Sequence, residues 1–102
     1  MSLHVEKIYK KDEEAYGIQV SFENKNPNIT YTIADLNVTA VDSDGNDATA
    51  TVIDAGKNGY SGSTATAWIR GGTSDETYLI DVTATMTGGE VFTQRLKLIV
   101  SD

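Results

Sequence analysis

The sequence predicts an all-β domain, an antiparallel sandwich of seven or eight short strands in two sheets, and three observations support this. Polar and apolar residues alternate with a period of two in several segments, turn residues recur about every 8–12 residues, and no segment has the spacing of a long amphipathic helix. A chain of 102 residues is long enough to bury roughly 65% of its unfolded surface without a metal or a disulfide. We therefore expect one domain over residues 1–102, with residues 1–3 as a disordered or vector-derived end.

The first third of the chain contains two predicted strands. Val5–Tyr9 is expected to form a short strand, and the mixed-charge run Lys10–Glu14 is expected to be a solvated turn. Tyr16–Phe22 places its large apolar side chains on alternate positions, which is typical of a strand with one buried face. The Asn-rich segment 23–28 contains the only Pro and predicts a loop.

The middle of the chain predicts a second group of strands. Ile29–Ile33 is β-prone and Leu36–Val41 continues the alternation. The run Asp42–Asp47 is rich in turn residues and is expected to reverse the chain into a strand over Ala48–Ile53, forming a hairpin. The Gly-rich segment Gly56–Gly62 is expected to be a connection.

The last third predicts a β-meander, in which each of three strands lies beside the next. Its strands are Thr64–Arg70, Thr77–Met86 and Glu90–Val100, and Gly-rich breaks separate them. The alternating apolar positions predict a core that includes Ile18, Val20, Phe22, Leu36, Val38, Ile80, Val82, Leu96 and Leu98.

The final hairpin has a predicted register. A two-residue loop would bring charged side chains onto the apolar face, whereas the three-residue loop Thr87–Gly89 sets Ile80 opposite Leu96. The same register places Asp81 opposite Arg95 on the other face as an exposed ion pair. The last loop residue is then expected in the left-handed region, which glycine tolerates.

The residue types offer little for catalysis. The chain has no Cys, and its only His is His4, so neither a thiol nucleophile nor a histidine-based triad is expected. Gly71–Ser74 lacks the Lys and the following helix of a phosphate-binding loop. A net charge of −7 disfavours nonspecific binding to nucleic acid or anionic lipid. With neither a membrane-length apolar run nor a signal peptide, we predict a non-enzymatic binding domain without a cofactor, a nucleic-acid partner or a membrane.

The Asp42–Asp47 turn is a weak candidate for a metal site. Asp42, Asp44, Asn46 and Asp47 supply closely spaced oxygens of the kind that Ca²⁺ prefers. The Gly and Glu positions of a helix–loop–helix calcium site do not fit, however. The favoured prediction is a turn whose side chains cap backbone groups, with no metal.

Trp68 is the candidate anchor of a partner surface. Alternation places it outward with Thr66 and Arg70, whereas Ala65 and Ala67 lie on the opposite, apolar face. A half-exposed Trp is a common binding anchor. The alternative is that Trp68 faces the core or is covered by a loop.

Several of these segments together resemble small proteins of tailed phages and prophages. The similarity lies in the Trp strand and Gly-Gly-Thr turn of Thr64–Thr73, the Tyr that opens the next strand at Glu76–Tyr78, and the Thr-rich hairpin Thr83–Gly89. The charged opening and strand Lys10–Ser21 are also similar, although Gln19-Val20 stands where an Asp-Trp pair is expected. Such proteins are described as fibre–tail adaptors or virion structural proteins.

The resemblance implies a fold and a role. It implies an Ig-like sandwich that docks onto other virion proteins in the fibre–tail or head–tail region, and it leaves homo-oligomerisation within an assembly open. The expected location is the virion, or the host cytoplasm during assembly. The alternative function is that of an Ig-like adhesion or carbohydrate-binding module of a prokaryotic cell surface.

Overall fold

The structure is a computed structural model that describes residues 6–11, 13–22 and 31–101. Seven strands dominate these residues, so the predicted all-β sandwich is confirmed. The elements are β1 (Glu6–Lys11), β2 (Tyr16–Ser21), β3 (Ile33–Val41), a short helix α1 (Thr49–Val52), a 3-10 turn (Ala55–Lys57), β4 (Gly59–Ser61), β5 (Thr64–Ile69), β6 (Thr77–Met86) and β7 (Val91–Ser101).

The strands form two sheets that enclose one core. The four-stranded sheet has the order β1-β7-β6-β3, and the three-stranded sheet has the order β2-β5-β4. Every pairing between strands is antiparallel except that of β1 with β7, which is parallel and departs from the expected all-antiparallel sandwich. The inward-facing residues of both sheets are buried together. Of the predicted core, Ile18 and Leu36 are only partly buried, and the other seven residues are buried: Val20, Phe22, Val38, Ile80, Val82, Leu96 and Leu98.

The predicted meander is wrong at its first turn, because β5 and β6 belong to different sheets. The segment between them crosses from one layer of the sandwich to the other. There the backbone amide of Thr73 donates to the hydroxyl oxygen of Tyr78 over 3.0 Å, and the Tyr78 side chain is buried. The alternation of apolar and polar residues shows which face of a strand is buried but not which sheet the strand joins. The sequence pattern therefore could not predict that the chain crosses between the sheets here.

The predicted strand over Ala48–Ile53 is also wrong. The chain does reverse at the expected turn, where Val41 pairs with Asp47, but the helix α1 follows. Burial there recurs four residues apart, at Ala48 and Val52, with the exposed Ala50 and Thr51 between them. Thr and Ala differ little in hydropathy, so the sequence in this segment does not distinguish a period of two from a period near four.

The register of the final hairpin is confirmed. Ile80 lies opposite Leu96 and Asp81 opposite Arg95, with Thr87–Gly89 as the loop and Gly89 at a φ of 96°. The Arg95 guanidinium donates to both carboxylate oxygens of Asp81 over 2.8 and 3.0 Å. These hydrogen bonds and the carboxylate charge raise the pKa of Arg95.

Three smaller differences concern the ends of elements. The strand β1 continues through Lys10 and Lys11, which were expected in a solvated turn, and Lys10 is buried with its Nζ donating to the carbonyl of Lys11. The predicted connection Gly56–Gly62 contains the short strand β4, whose sequence lacks the alternation of apolar and polar residues that would predict a strand. The predicted loop 23–28 lies outside the described residues.

Candidate partner-binding surface

The strand β5 presents two chemically different faces. Its inward residues Ala65, Ala67 and Ile69 are fully buried, whereas Thr66 and Trp68 are half-buried on the outer face of the three-stranded sheet. The structure therefore places Trp68 outward, as the alternation predicts. Because β5 lies between β2 and β4, the surroundings of Trp68 come from both neighbouring strands and from the 3-10 turn.

The backbone at Trp68 is held on both sides. Its amide donates to Oδ1 of Asn58 over 2.7 Å, and its carbonyl accepts from the amide of Asp54 over 2.9 Å. Pairing between β4 and β5 ends where Gly59 lies opposite Thr66, so the Asn58 side chain takes the place of the next backbone partner. Both backbone groups of Trp68 are therefore hydrogen-bonded, which fixes the strand at this position and with it the side of the sheet to which the indole points.

The Trp68 ring lies against a glycine. Gly17 is directly opposite Trp68 in β2, which is an edge strand. A Cβ atom at position 17 would lie 3.1 Å from Cε3 and 3.3 Å from Cζ3 of Trp68, and 2.9 Å from Cγ2 of Thr66. The ring thus occupies the space that a side chain at position 17 would need, and aromatic cover of an edge glycine is a known stabilising arrangement in sheets.

A cation lies over the same ring. Nζ of Lys57 is 4.9 Å from the centroid of the Trp68 ring, within the range of a cation–π contact. The 3-10 turn places Lys57 there, immediately before Asn58. Trp68 therefore packs between Gly17 and Lys57, and the residue as a whole is half-buried.

A shallow groove of about 640 Å³ runs beside the indole. We call it the Trp68 groove, and it is lined by Gln19, Lys57, Tyr60, Thr64, Thr66 and Trp68, together with the backbone of β4. Tyr60 is 46% exposed, and its hydroxyl donates to the carbonyl of Ala34 over 2.7 Å. Tyr60 lies opposite the buried Ala65 in β5, so its ring is directed to the inner side of the sheet, and Trp68 is the aromatic ring of the outer face in this groove.

Arg70, the third predicted surface residue, does not line this groove. Its backbone amide donates to the carbonyl of Val52, just past the end of β5. Its guanidinium donates to the carbonyl of Ala50 over 3.2 Å and lies 3.9 Å from a carboxylate oxygen of Asp54. Arg70 is exposed but already engaged by α1 and the following turn.

The Asp42–Asp47 turn uses its carboxylates within the chain. Oδ1 of Asp42 accepts from the amides of Asp44 and Asn46 over 2.9 and 3.0 Å. Oδ1 of Asp47 accepts from the hydroxyl and the amide of Thr49 over 2.7 and 3.1 Å, and these bonds lower the pKa of Asp47. The described residues contain no group of three or more His, Cys, Asp or Glu side chains that could hold a metal ion.

Sequence reasoning placed Trp68 and Thr66 on the outer face of their strand but missed their neighbours. Gln19 and Gly17 come from a strand distant in the sequence, and Lys57 and Tyr60 come from a segment predicted to be a connection. The pairing of β5 with β2 on one side and with β4 on the other brings these residues together, and the local sequence pattern does not indicate either pairing.

The family relationship of the chain follows from a match over nearly its whole length. The family described as "Podophage GP4 fiber-tail adaptor protein gp77" matches residues 12–99. The chain belongs to this family. No curated protein matches it. Within the described residues, no helix is long and apolar enough to span a membrane.

Membership of the fibre–tail adaptor family gives the chain a coarse role. It is a structural component of a phage virion that interacts with other virion proteins. Of the two functions that the sequence left open, the match supports the virion adaptor over the cell-surface module. The matched range includes both β2 and β5, which carry most of the Trp68 groove.

Proposed function

We propose that this adaptor acts by docking, with the Trp68 groove as a surface that receives a neighbouring virion protein. The observation that carries the proposal is a half-buried Trp whose ring is held in place beside an open groove. Thr66 lines this surface, whereas Arg70 lies outside it. Tryptophan is among the residues that contribute most to binding energy when a partner covers them.

Fixed aromatic rings favour binding because little entropy remains to be lost. The Trp68 ring packs on Gly17 and lies under Nζ of Lys57. Ordering a free side chain at an interface costs about 0.5–1.5 kcal/mol. An aromatic ring that is already ordered avoids most of this cost, so a partner gains from covering the exposed part of Trp68.

We also infer that the sandwich is Ig-like. In an Ig constant-type domain the second, fifth and fourth strands share one sheet, and the third, sixth and seventh share the other. The orders β2-β5-β4 and β7-β6-β3 match that division, and β1 differs, because it pairs with β7 and not with β2. The hydrogen bond between the Tyr78 hydroxyl and Thr73, at the corner between β5 and β6, resembles the tyrosine corner of such domains.

A docking role requires no catalytic residue, cofactor or nucleic acid, and we propose none. The chain is expected in the host cytoplasm before assembly and in the virion afterwards. We also propose that the chain associates with further copies of itself within an assembly, and sedimentation of the purified chain tests this by measuring its oligomeric state.

The docking proposal is tested by reconstitution. Particles assembled by the encoding phage without this chain are mixed with purified wild-type chain or with variants, and bound chain is measured after sedimentation. Trp68→Ala is expected to weaken binding by at least about tenfold. The control Val91→Ala removes an apolar side chain that is 60% exposed on the other sheet, and is expected to change binding by less than about twofold. Wild-type binding by a folded Trp68→Ala variant would refute the proposal.

Fluorescence gives a second test in the free chain, because Trp68 is its only tryptophan. Partial exposure predicts that iodide quenches the emission in the free chain and quenches it less in the reconstituted particle. Emission that is blue-shifted and insensitive to iodide in the free chain would show a buried ring, and the docking surface would have to lie elsewhere.

A further inference from the structure

The outer face of the four-stranded sheet carries a second groove, of about 530 Å³. It lies on the side of the sandwich opposite the Trp68 groove, because the two sheets pack with their inner faces together. We call it the basic groove, and it is lined by Lys7, Asp42, Ser43, Thr77, Leu79, Arg95 and Lys97.

The groove gathers positive charge on an acidic chain. Three of the eight Lys and Arg residues line it, although the net charge of the chain is −7. Arg95 is neutralised by Asp81 in the hydrogen-bonded pair described above. Within the described part of the chain, Lys7 and Lys97 form no ion pair with a carboxylate.

These two lysines are also adjacent across the sheet. Lys7 in β1 lies directly opposite Lys97 in β7, in the parallel pair at the edge of the sheet. Like charges directly opposite each other on one face of a sheet repel and destabilise the pairing. A carboxylate bound between them would relieve this repulsion, so the pair favours an anionic ligand.

The one carboxylate that lines the groove does not supply this charge. Asp42 is partly buried, and its Oδ1 accepts from two backbone amides of its own turn. No nitrogen of Lys7 or Lys97 lies within ion-pair distance of a described carboxylate, that of Asp42 included. Both lysines are therefore open to a carboxylate of a bound ligand.

Apolar side chains border the two lysines. Leu79 lies opposite Lys97 and is half-buried in the lining of the groove. Tyr9 shares the outer face of β1 with Lys7, lies opposite Ile99, and is 64% exposed. A ligand that fits this face therefore carries carboxylates next to an apolar side chain.

We propose that the basic groove binds an acidic segment of a partner protein. Carboxylates of the segment pair with Lys7 and Lys97, and an apolar side chain packs on Leu79 and Tyr9. The apolar Leu79 and Tyr9 beside the lysines support a protein segment over nucleic acid, because a protein segment can carry carboxylates and an apolar side chain next to each other. The inference rests on the proposed docking role but not on Trp68, and it gives the adaptor a second partner surface on its opposite face.

The test uses three synthetic fluorescein-labelled heptapeptides and the full chain. The first has the sequence Asp-Leu-Asp-Phe-Asp-Leu-Asp, the second replaces each Asp by Lys, and the third replaces Leu and Phe by Ser. Binding is measured by fluorescence anisotropy at about 20 mM and about 300 mM NaCl, because the Debye length falls from about 20 Å to about 6 Å over this range. A single-stranded thymidine oligonucleotide serves as competitor.

The acidic apolar peptide is expected to bind at least about tenfold more tightly than the Lys peptide at low salt, and more tightly than the Ser peptide, with loss of affinity at high salt. The double variant Lys7→Gln/Lys97→Gln is expected to lose this preference. Lys57→Gln, the matched control on the opposite face, is expected to keep it. Trp68→Ala is also expected to keep it, so failure of the Trp68 docking proposal is distinguishable from failure of this one.

Two outcomes would overturn the proposal. In one, the Asp and Lys peptides bind equally, or the double lysine variant keeps the preference for Asp. In the other, the oligonucleotide displaces the acidic peptide and itself binds the groove more tightly, which would make the groove a nucleic-acid surface. Melting temperatures of the variants are measured alongside. We expect the double variant to melt at or slightly above the wild-type temperature, because the repulsion between the lysines is removed.

Discussion

The loop of the final hairpin offers a sharp test of the structure, because its two adjacent glycines are predicted to respond in opposite ways. Gly89 has a φ of 96°, and a Cβ atom built on it would meet nothing within 4 Å. Substitution there therefore costs only backbone strain. Gly88 has no positive φ, and a Cβ atom on it would lie 2.6 Å from Oε1 of Glu90, at the free end of a flexible side chain.

The expected magnitudes follow from these geometries. A side chain forced to a positive φ costs about 1–3 kcal/mol, and loss of glycine freedom in the unfolded chain returns about 0.4–1 kcal/mol. Gly89→Ala and Gly89→Val should therefore destabilise the chain by about 1–2 kcal/mol. Gly88→Ala avoids the strain and only displaces the Glu90 carboxylate, so it should be neutral or stabilising by up to about 1 kcal/mol.

Thermal unfolding followed by far-UV circular dichroism measures the difference. For a domain of this size, a loss of about 1–2 kcal/mol lowers the melting temperature by about 4–16 °C. Urea unfolding gives the free energies independently, and equal m-values for the two variants would show that only stability has changed. The reasoning is refuted if Gly89→Ala melts at or above the wild-type temperature, or if Gly88→Ala loses as much stability as Gly89→Ala.

Three further predictions concern other parts of the chain. Gly17→Ala should displace the Trp68 ring and cost about 1–3 kcal/mol, with a change in tryptophan emission; unchanged emission and stability would show that the ring does not lie on Gly17. Tyr78→Phe should leave the amide of Thr73 without its hydroxyl partner and cost about 1–3 kcal/mol in urea unfolding, and a loss below about 0.5 kcal/mol would contradict this. Calcium in the millimolar range should shift the melting temperature by less than about 5 °C relative to EDTA, because carboxylates in the 42–47 turn already bind backbone amides, and a larger rise would reveal a site there.

The sequence predicted strands and their register best where neighbouring residues differ strongly in hydropathy. In β6 and β7, residues such as Ile80 and Leu96 alternate with charged residues such as Asp81 and Arg95, so only one register keeps the charges outside. The Ala48–Ile53 segment has little contrast, and there the prediction failed. The strength of the pattern, not its length, determined the outcome.

Long-range pairing was the part that the sequence did not reveal. The parallel pairing of β1 with β7 and the crossing between β5 and β6 depend on contacts between segments far apart or in different layers. The same limit applied to the candidate site. Alternation directed Trp68 outward, but it did not show that Gly17 lies beneath the ring, that Lys57 lies over it, or that Arg70 is held elsewhere.

The architecture separates the residues that stabilise the fold from those available to partners. On β5, the inward Ala65, Ala67 and Ile69 are fully buried and form part of the core. The outward Thr66 and Trp68 do not pack in the core. The same division on the other sheet leaves Lys7 and Lys97 outside the core. The two proposed surfaces therefore lie on opposite faces, so a partner bound at one would leave the other uncovered. Such an arrangement suits an adaptor. The outward residues of each sheet can be substituted to fit a different partner, while the core residues that fix the distance between the two sheets stay the same.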